Sequence, residues 1–285
     1  MIPPPRPKKK KKGFPEFLKN RTLAVLDVET TGLNPNFGDR VCEVAVLRWK
    51  NGEIVKTFQT LVEPLRPVSP GAFAVNEITP AMLFGKPLFE EVAREVVSLL
   101  RGAVVVCHNA PFDFKFLIAE CQMTGVKIPE VKVIDTLVLA RKHFNFFSNR
   151  LGELAKNLGI RVHREHRALA DVKTTLEVFL GLARVLEERG IGNLDQLIEF
   201  TVEYAPYLKR RETPVPPEIE EALGKKKLLQ LKYVSADGEE TERLVEPIEL
   251  ITAWDAVYLK AFCRLRKAER HFRLDRIVKA GIIKG

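Results

Sequence analysis

The segment from Ala205 to Pro217, A-P-Y-L-K-R-R-E-T-P-V-P-P, constrains this chain more than any other. Each of Pro206, Pro214, Pro216 and Pro217 removes an amide donor and restricts the residue before it. Neither a helix nor a central strand runs through such a stretch, so the sequence on each side has to bury its own core. The chain has 285 residues, 46% of them hydrophobic, which suffices for two modest domains. We place them at residues 20–204 and 218–285, with 205–217 as the linker.

Before the break, the apolar runs Thr22–Val28, Arg40–Trp49 and Ile54–Val62 read as strands, the last two joined by the turn signal Asn51-Gly52. Phe89–Leu100 then has helical spacing, and Ala103–Cys107 is a short β-branched run typical of a buried strand. Phe112–Thr124 is helical, Val131–Ile134 is a strand, and Asp135–His143, Leu151–Leu158 and Ala168–Glu188 are helices. Strands followed by strand–helix alternation predict an α/β domain. After the break, Leu228–Val234, Arg243–Leu250, Ala256–Cys263 and Arg270–Leu274 are β-like, with Asp237-Gly238 as a hairpin turn. The second domain is therefore expected to be small and mostly β.

Composition narrows the partners. No apolar run is long enough to cross a bilayer, and the N-terminus lacks the apolar stretch of a secretory signal, so no membrane partner and a cytoplasmic location are expected. Met1–Gly13 is rich in Pro and Lys, and residues 1–19 are expected as a disordered basic tail. Cys42, Cys107, Cys121 and Cys263 show no metal-like spacing and read as reduced core residues. The net charge of +9 suits an anionic partner, although Lys8–Lys12 supplies over half of it. Charge alone does not decide for nucleic acid.

Three segments carry chemistry. In L-A-V-L-D-V-E-T-T-G, Asp27 and Glu29 sit two apart at the end of an apolar strand, and alternation puts both on one face. Carboxylates that close repel, so they call for a cation, unless the strand end is simply solvated. In H-N-A-P-F-D, Asp113 falls in the first turn of a helix, where an acidic residue also suits the dipole. In H-R-A-L-A-D, Asp171 holds a similar position and His166 precedes it by five residues.

Taken together, D-x-E-T-T-G, H-N-x-x-F-D and H-x-A-x-x-D-x-x-x-T resemble the DEDDh group of the DnaQ-like exonuclease family, over roughly Thr22–Arg189. Val75–Thr79 and Ile134-Asp135-Thr136 extend the similarity, with Asn76 and Glu77 departing from the commonest form and Asp135 expected as a helix cap. The resemblance implies an RNase H-like fold, a mixed central sheet flanked by helices. It also implies that Asp27, Glu29, Asp113 and Asp171 hold two divalent cations, Mg²⁺ or Mn²⁺, and that His166 is the general base, with His163 the competing candidate. A histidine with a pKa near 6.5 suits proton abstraction at neutral pH. The turn Thr30-Thr31-Gly32-Leu33 and Asn109 would contact the 3′-terminal nucleotide, Gly32 permitting close approach.

Past the break, Val245–Leu250, Val257–Cys263 and Phe272–Ile277 resemble a WYL domain, a small Sm-like β-barrel, with Val-Tyr-Leu in place of the eponymous tripeptide and Trp254 displaced upstream. The resemblance implies nucleic-acid or ligand sensing through Arg264, Arg266, Arg273 and Arg276, which otherwise read as a solvated basic face. The expected function is metal-dependent 3′-to-5′ hydrolysis of nucleic acid with a free 3′ end. DNA is favoured over RNA, the setting is repair or proofreading, and any polymerase or repair partner is unnamed by the sequence. RNA 3′-end trimming is one alternative. A catalytically idle binding regulator is the other, and the presence of all four carboxylates and His166 argues against it.

Overall fold

A computed structural model of the chain describes residues 13–160, 167–198, 215–234, 239–252 and 257–283. The Lys8–Lys12 run, His163, His166, residues 205–214, the Asp237-Gly238 turn and Trp254 lie outside them. The chain forms two compact units, Met1–Tyr204 and Ala205–Gly285.

The first unit contains β1 (Thr22–Thr30), β2 (Val41–Lys50), β3 (Glu53–Leu61), α1 (Pro70–Asn76), α2 (Pro80–Leu83), α3 (Phe89–Leu100), β4 (Val104–Cys107), α4 (Ala110–Thr124), β5 (Lys132–Asp135), α5 (Thr136–His143), α6 (Leu151–Asn157), α7 (Ala168–Glu187) and α8 (Leu194–Ile198). The sheet order is β3-β2-β1-β4-β5. β1, β2 and β3 pair antiparallel, while β4 and β5 add parallel to β1. This is the mixed sheet of an RNase H-like fold. Asn51 and Gly52 both take positive φ, 50° and 95°, as the tight β2–β3 hairpin requires.

β1 is buried on both faces. Leu23 and Val25 join Ala45, Leu47 and Trp49 and the α7 stripe of Val172, Leu176, Phe179 and Leu182 in one core. Ala24 and Leu26 point to the other face and are equally buried. α4 also packs against β1 and β2. Burial of apolar surface at about 25 cal/mol per Å² makes this layered core the main source of stability.

Two sequence expectations need correction. Residues 13–19, expected as part of a disordered tail, are placed on the first unit: Leu18 is fully buried and Phe14 and Phe17 pack against the core. Phe14 meets the Trp49 ring edge-on at 5.1 Å. The short helices α1 and α2 were not anticipated. Each begins with a capping hydroxyl and a proline at its first position, Ser69-Pro70 and Thr79-Pro80, the hydroxyls accepting from the amides of Ala72 at 3.2 Å and Met82 at 3.3 Å.

The second unit is α9 (Pro217–Lys225) followed by β6 (Leu229–Val234), β7 (Glu240–Thr252), β8 (Val257–Cys263), β9 (Ala268–Arg273) and β10 (Ile277–Ile282). All pair antiparallel in the order β10-β6-β7-β8-β9. The leading helix and β10 extend the mostly-β reading. α9 starts at Pro217, whose fixed φ suits a first helical position. Its Ile219 and Ala222 share a core with Leu229, Leu231, Val245, Leu259 and Phe272. Pro247, inside β7, sits where the β7–β8 register shifts, as a residue without an amide donor must. Among the described residues, no helix is long and apolar enough to cross a membrane.

Candidate active site

The odd-numbered residues of β1 face α7, so Asp27 and Glu29 continue the line of Leu23 and Val25 to the end of the strand. Asp171 meets them from the first turn of α7. Carboxylate oxygens of Asp27, Glu29 and Asp171 lie within 4.8 Å of one another. Asp113, in the first turn of α4, is buried, and its Oδ1 accepts from the Val28 amide at 3.1 Å. The four residues thus converge from one strand and two helices.

Burial and crowding disfavour four bare anions here. Burial pushes the Asp27 carboxyl well above its usual range, and the neighbouring Asp113, Glu29 and Asp171 push it further. Burial does the same to Asp113, against the opposing pull of the Val28 amide. Glu29 is pushed up to about 8, by burial first and then by Asp171 and Glu43. An all-carboxylate donor set of this kind fits hard divalent cations, whose charge removes the repulsion.

A supporting layer went unread in the sequence. Glu43 lies opposite Glu29 in the β1–β2 ladder and is fully buried. It accepts from Arg167 Nε and Nη2, both at 3.0 Å, from the Ala168 amide at 3.2 Å and from Gln59 Nε2 at 2.5 Å. β2 is thereby tied to the N-terminus of α7, and the Arg167 amide donates to Asp171 Oδ2 at 3.1 Å. Glu120 of α4 is also buried and accepts from Arg40 Nε and Nη2, both at 2.8 Å, and from the Val41 amide at 3.0 Å. The available signal was a glutamate inside an apolar run, V-C-E-V-A-V-L and F-L-I-A-E-C, because a buried charge requires a partner.

Asp135 caps α5 as expected, accepting from the Leu137 amide at 2.8 Å, and it also accepts from the amides of Asn109 at 3.0 Å and Ala110 at 3.0 Å. It therefore fixes the β4–α4 corner, where Asn109 takes a left-handed conformation with φ 71°. His108 Nδ1 lies 2.8 Å from Thr136 Oγ1, and burial lowers the pKa of its imidazole.

The turn after β1 is braced from within. Thr30 and Thr31 are buried; Thr30 Oγ1 donates to the Gly32 carbonyl at 2.6 Å, and Thr31 Oγ1 accepts from the Arg40 amide at 3.0 Å. Asn76 Nδ2 donates to the Thr30 carbonyl at 3.2 Å. Leu33 is 76% exposed at the rim. At Gly32 the space that a Cβ would fill is already taken by the Asp39 carboxylate, which is held by Arg66 at 3.1 Å and the Asn34 amide at 3.0 Å. Any side chain at Gly32 would therefore push that carboxylate off its partners, a constraint its sequence context did not reveal. The carboxylates, Gly32, Leu33 and Asn109 line one cleft of about 1090 Å³. Phe112 also lines it, while Phe116, 5.2 Å away, is core. His166 directly precedes the anchored Arg167 and lies outside the described residues.

In the second unit, Arg264 Nε pairs with Glu246 at 2.9 Å, and Arg273 makes a fork with Asp275 at 2.8 and 2.9 Å. Arg266 is exposed in the β8–β9 turn, and Arg276 is partly exposed beside Asp275.

The exonuclease family model matches residues 24–179, and the WYL domain model matches residues 214–282. DNA polymerase III PolC-type of Thermotoga petrophila is 34% identical over 194 residues, covering 67% of this chain and 14% of that protein. The 3′-5′ exonuclease DinG of Bacillus subtilis is 33% identical over 181 residues, covering 63% of this chain and 19% of that protein. This chain therefore spans less than a quarter of either relative. The zinc-bound complex of Escherichia coli exonuclease I with single-stranded DNA shares the fold at 19% identity with a TM-score of 0.53, covering 85% of this chain and 55% of that one. By the match to more than half its length, the chain belongs to the exonuclease family.

Proposed function

We propose that this chain hydrolyses phosphodiester bonds from the 3′ end of DNA in repair or proofreading. The observation that carries the proposal is the convergence of Asp27, Glu29 and Asp171 beside the buried Asp113. Those four residues would hold two divalent cations, Mg²⁺ or Mn²⁺. Bound there, the cations supply charge neutralisation at the phosphoryl oxygens and a nucleophile at neutral pH. His166 takes the proton from the attacking water, a role suited to an imidazole. The backbone of Thr30–Leu33 seats the terminal nucleotide, with exposed Leu33 against its base and Asn109 beside its sugar. The preference for DNA draws support from the relative named DNA polymerase III PolC-type. In the second unit, Arg266 and Arg276 are the better candidates to touch nucleic acid, because Arg264 and Arg273 already pair with carboxylates.

The test is digestion of 3′- and 5′-labelled DNA and RNA oligonucleotides with Mg²⁺ or Mn²⁺, comparing wild type with Asp27→Ala and His166→Ala. Stepwise release from the 3′ end of DNA is expected, abolished by the first variant and strongly reduced by the second. Faster release from RNA would overturn the substrate, and oligonucleotide binding without cleavage would overturn the enzyme.

A further inference from the structure

The catalytic cleft has a basic stretch of wall that nothing in the hydrolytic scheme uses. Arg141, in the last turn of α5, and Arg150, the residue that opens α6, both line the cleft that holds the carboxylates. Both are exposed, and neither guanidinium forms a hydrogen bond or ion pair among the described residues. Around the same cleft, other arginines among the described residues are committed: Arg40 to Glu120, Arg66 to Asp39 and Arg167 to Glu43. The remaining charged lining is acidic, namely Asp27, Glu29, Asp39, Asp113 and Asp171. Two guanidinium groups held apart from five carboxylates in one cleft are suited to an anion that enters with them.

Two neighbours indicate what kind of anion. Asn149 lines the cleft beside Arg150, and its buried Oδ1 has no hydrogen-bond partner among the described residues. Once the side chain turns toward the cleft, a ligand that brings an N–H or O–H donor would satisfy it. Phe147, on the same α5–α6 loop, is fully exposed, so its ring face is open to a stacking base. Phosphate, donor-bearing base and flat ring face are the repeating parts of a single-stranded polynucleotide.

We infer that the α5–α6 loop is a second substrate subsite, in which Arg141 and Arg150 hold internucleotide phosphates on the 5′ side of the scissile bond and Phe147 stacks on an upstream base. The inference rests on the nuclease reading above and deepens it. The chain is then a polynucleotide enzyme whose affinity comes largely from nucleotides it does not cut.

The experiment compares two substrates on the full chain, a single-stranded oligothymidylate and the p-nitrophenyl ester of thymidine 5′-phosphate, which has no upstream phosphate. In Arg141→Gln/Arg150→Gln, kcat/KM on the oligonucleotide should fall roughly tenfold or more relative to that on the ester, through KM. The slope of log binding constant against log salt for the oligonucleotide should flatten by about 1.4, or about 0.7 for each phosphate deprived of its guanidinium. Phe147→Ala should weaken oligonucleotide binding roughly fivefold or more without changing the salt slope, as expected when a base loses its stacking ring. Equal losses on both substrates, or an unchanged salt slope, would overturn the subsite. Should wild type cleave neither substrate, the nuclease reading fails while the salt slope still decides the subsite.

Discussion

Replacing Arg167 with methionine removes the fork that neutralises Glu43, a carboxylate with no solvent exposure. Two charge-assisted bonds of 3.0 Å disappear at once. Stripping one partner from a buried ion pair costs about 3–5 kcal/mol, because the survivor stays buried and uncompensated. Here the low end applies: the Arg167 side chain is 23% exposed, and Glu43 keeps the Ala168 amide and Gln59. A loss of about 3 kcal/mol lowers the melting temperature of a unit this size by roughly 6–12 °C. The assay is thermal denaturation of the full chain in a Trp254→Phe background. The sequence has two tryptophans, so the remaining one, buried Trp49, reports the first unit alone. Adding Glu43→Gln to Arg167→Met should recover most of the loss, since a neutral amide no longer needs the cation. Nuclease activity should not recover with it, because α7 and Asp171 are no longer pinned to β2. If the double variant melts no higher than Arg167→Met, an uncompensated charge was not the cause and the reasoning fails.

Other expectations follow from the same geometry. Asp135→Ala leaves the amides of Asn109, Ala110 and Leu137 without their acceptor and should cost about 2–3 kcal/mol in urea denaturation, with Asp135→Asn regaining part; a loss below about 0.5 kcal/mol would show that water replaces the carboxylate. Gly32→Ala should depress nuclease activity by displacing the Asp39 carboxylate, and Asp39→Ser should restore some of it; absence of any rescue would place the constraint elsewhere. All four cysteines are free and buried, so Ellman's reagent should react slowly with native protein and with all four in denaturant. A fast native thiol would contradict their packing.

Much of the site could be read locally because its residues stand at the ends of elements with strong periodic signals. Asp27 and Glu29 close an apolar strand, and Asp113 and Asp171 open helices, so their faces followed from period and position. Asn51-Gly52 announced its hairpin by the same local logic. What escaped depends on distant partners. Nothing within a few residues of Glu43 or Glu120 names the arginine that neutralises it, 124 and 80 residues away. α1 and α2 are too short to show a period, although Ser69-Pro70 and Thr79-Pro80 carried the capping signal. At Gly32 the sequence shows nothing of the Asp39 carboxylate, seven residues on, that packs where a Cβ would stand.

The spread of the site along the chain also sets when it can exist. Asp113 reaches back across 85 residues to the Val28 amide, and Arg167 across 124 to Glu43. Pairings of such long sequence separation cost the most loop entropy and close late in folding. A nascent chain that has emerged only as far as α6 therefore carries Asp27, Glu29 and Asp113 without the helix that completes the cluster. On the function proposed above, nucleolytic competence then waits until nearly the whole first unit has been made, and a partly synthesised chain spares the nucleic acids around it.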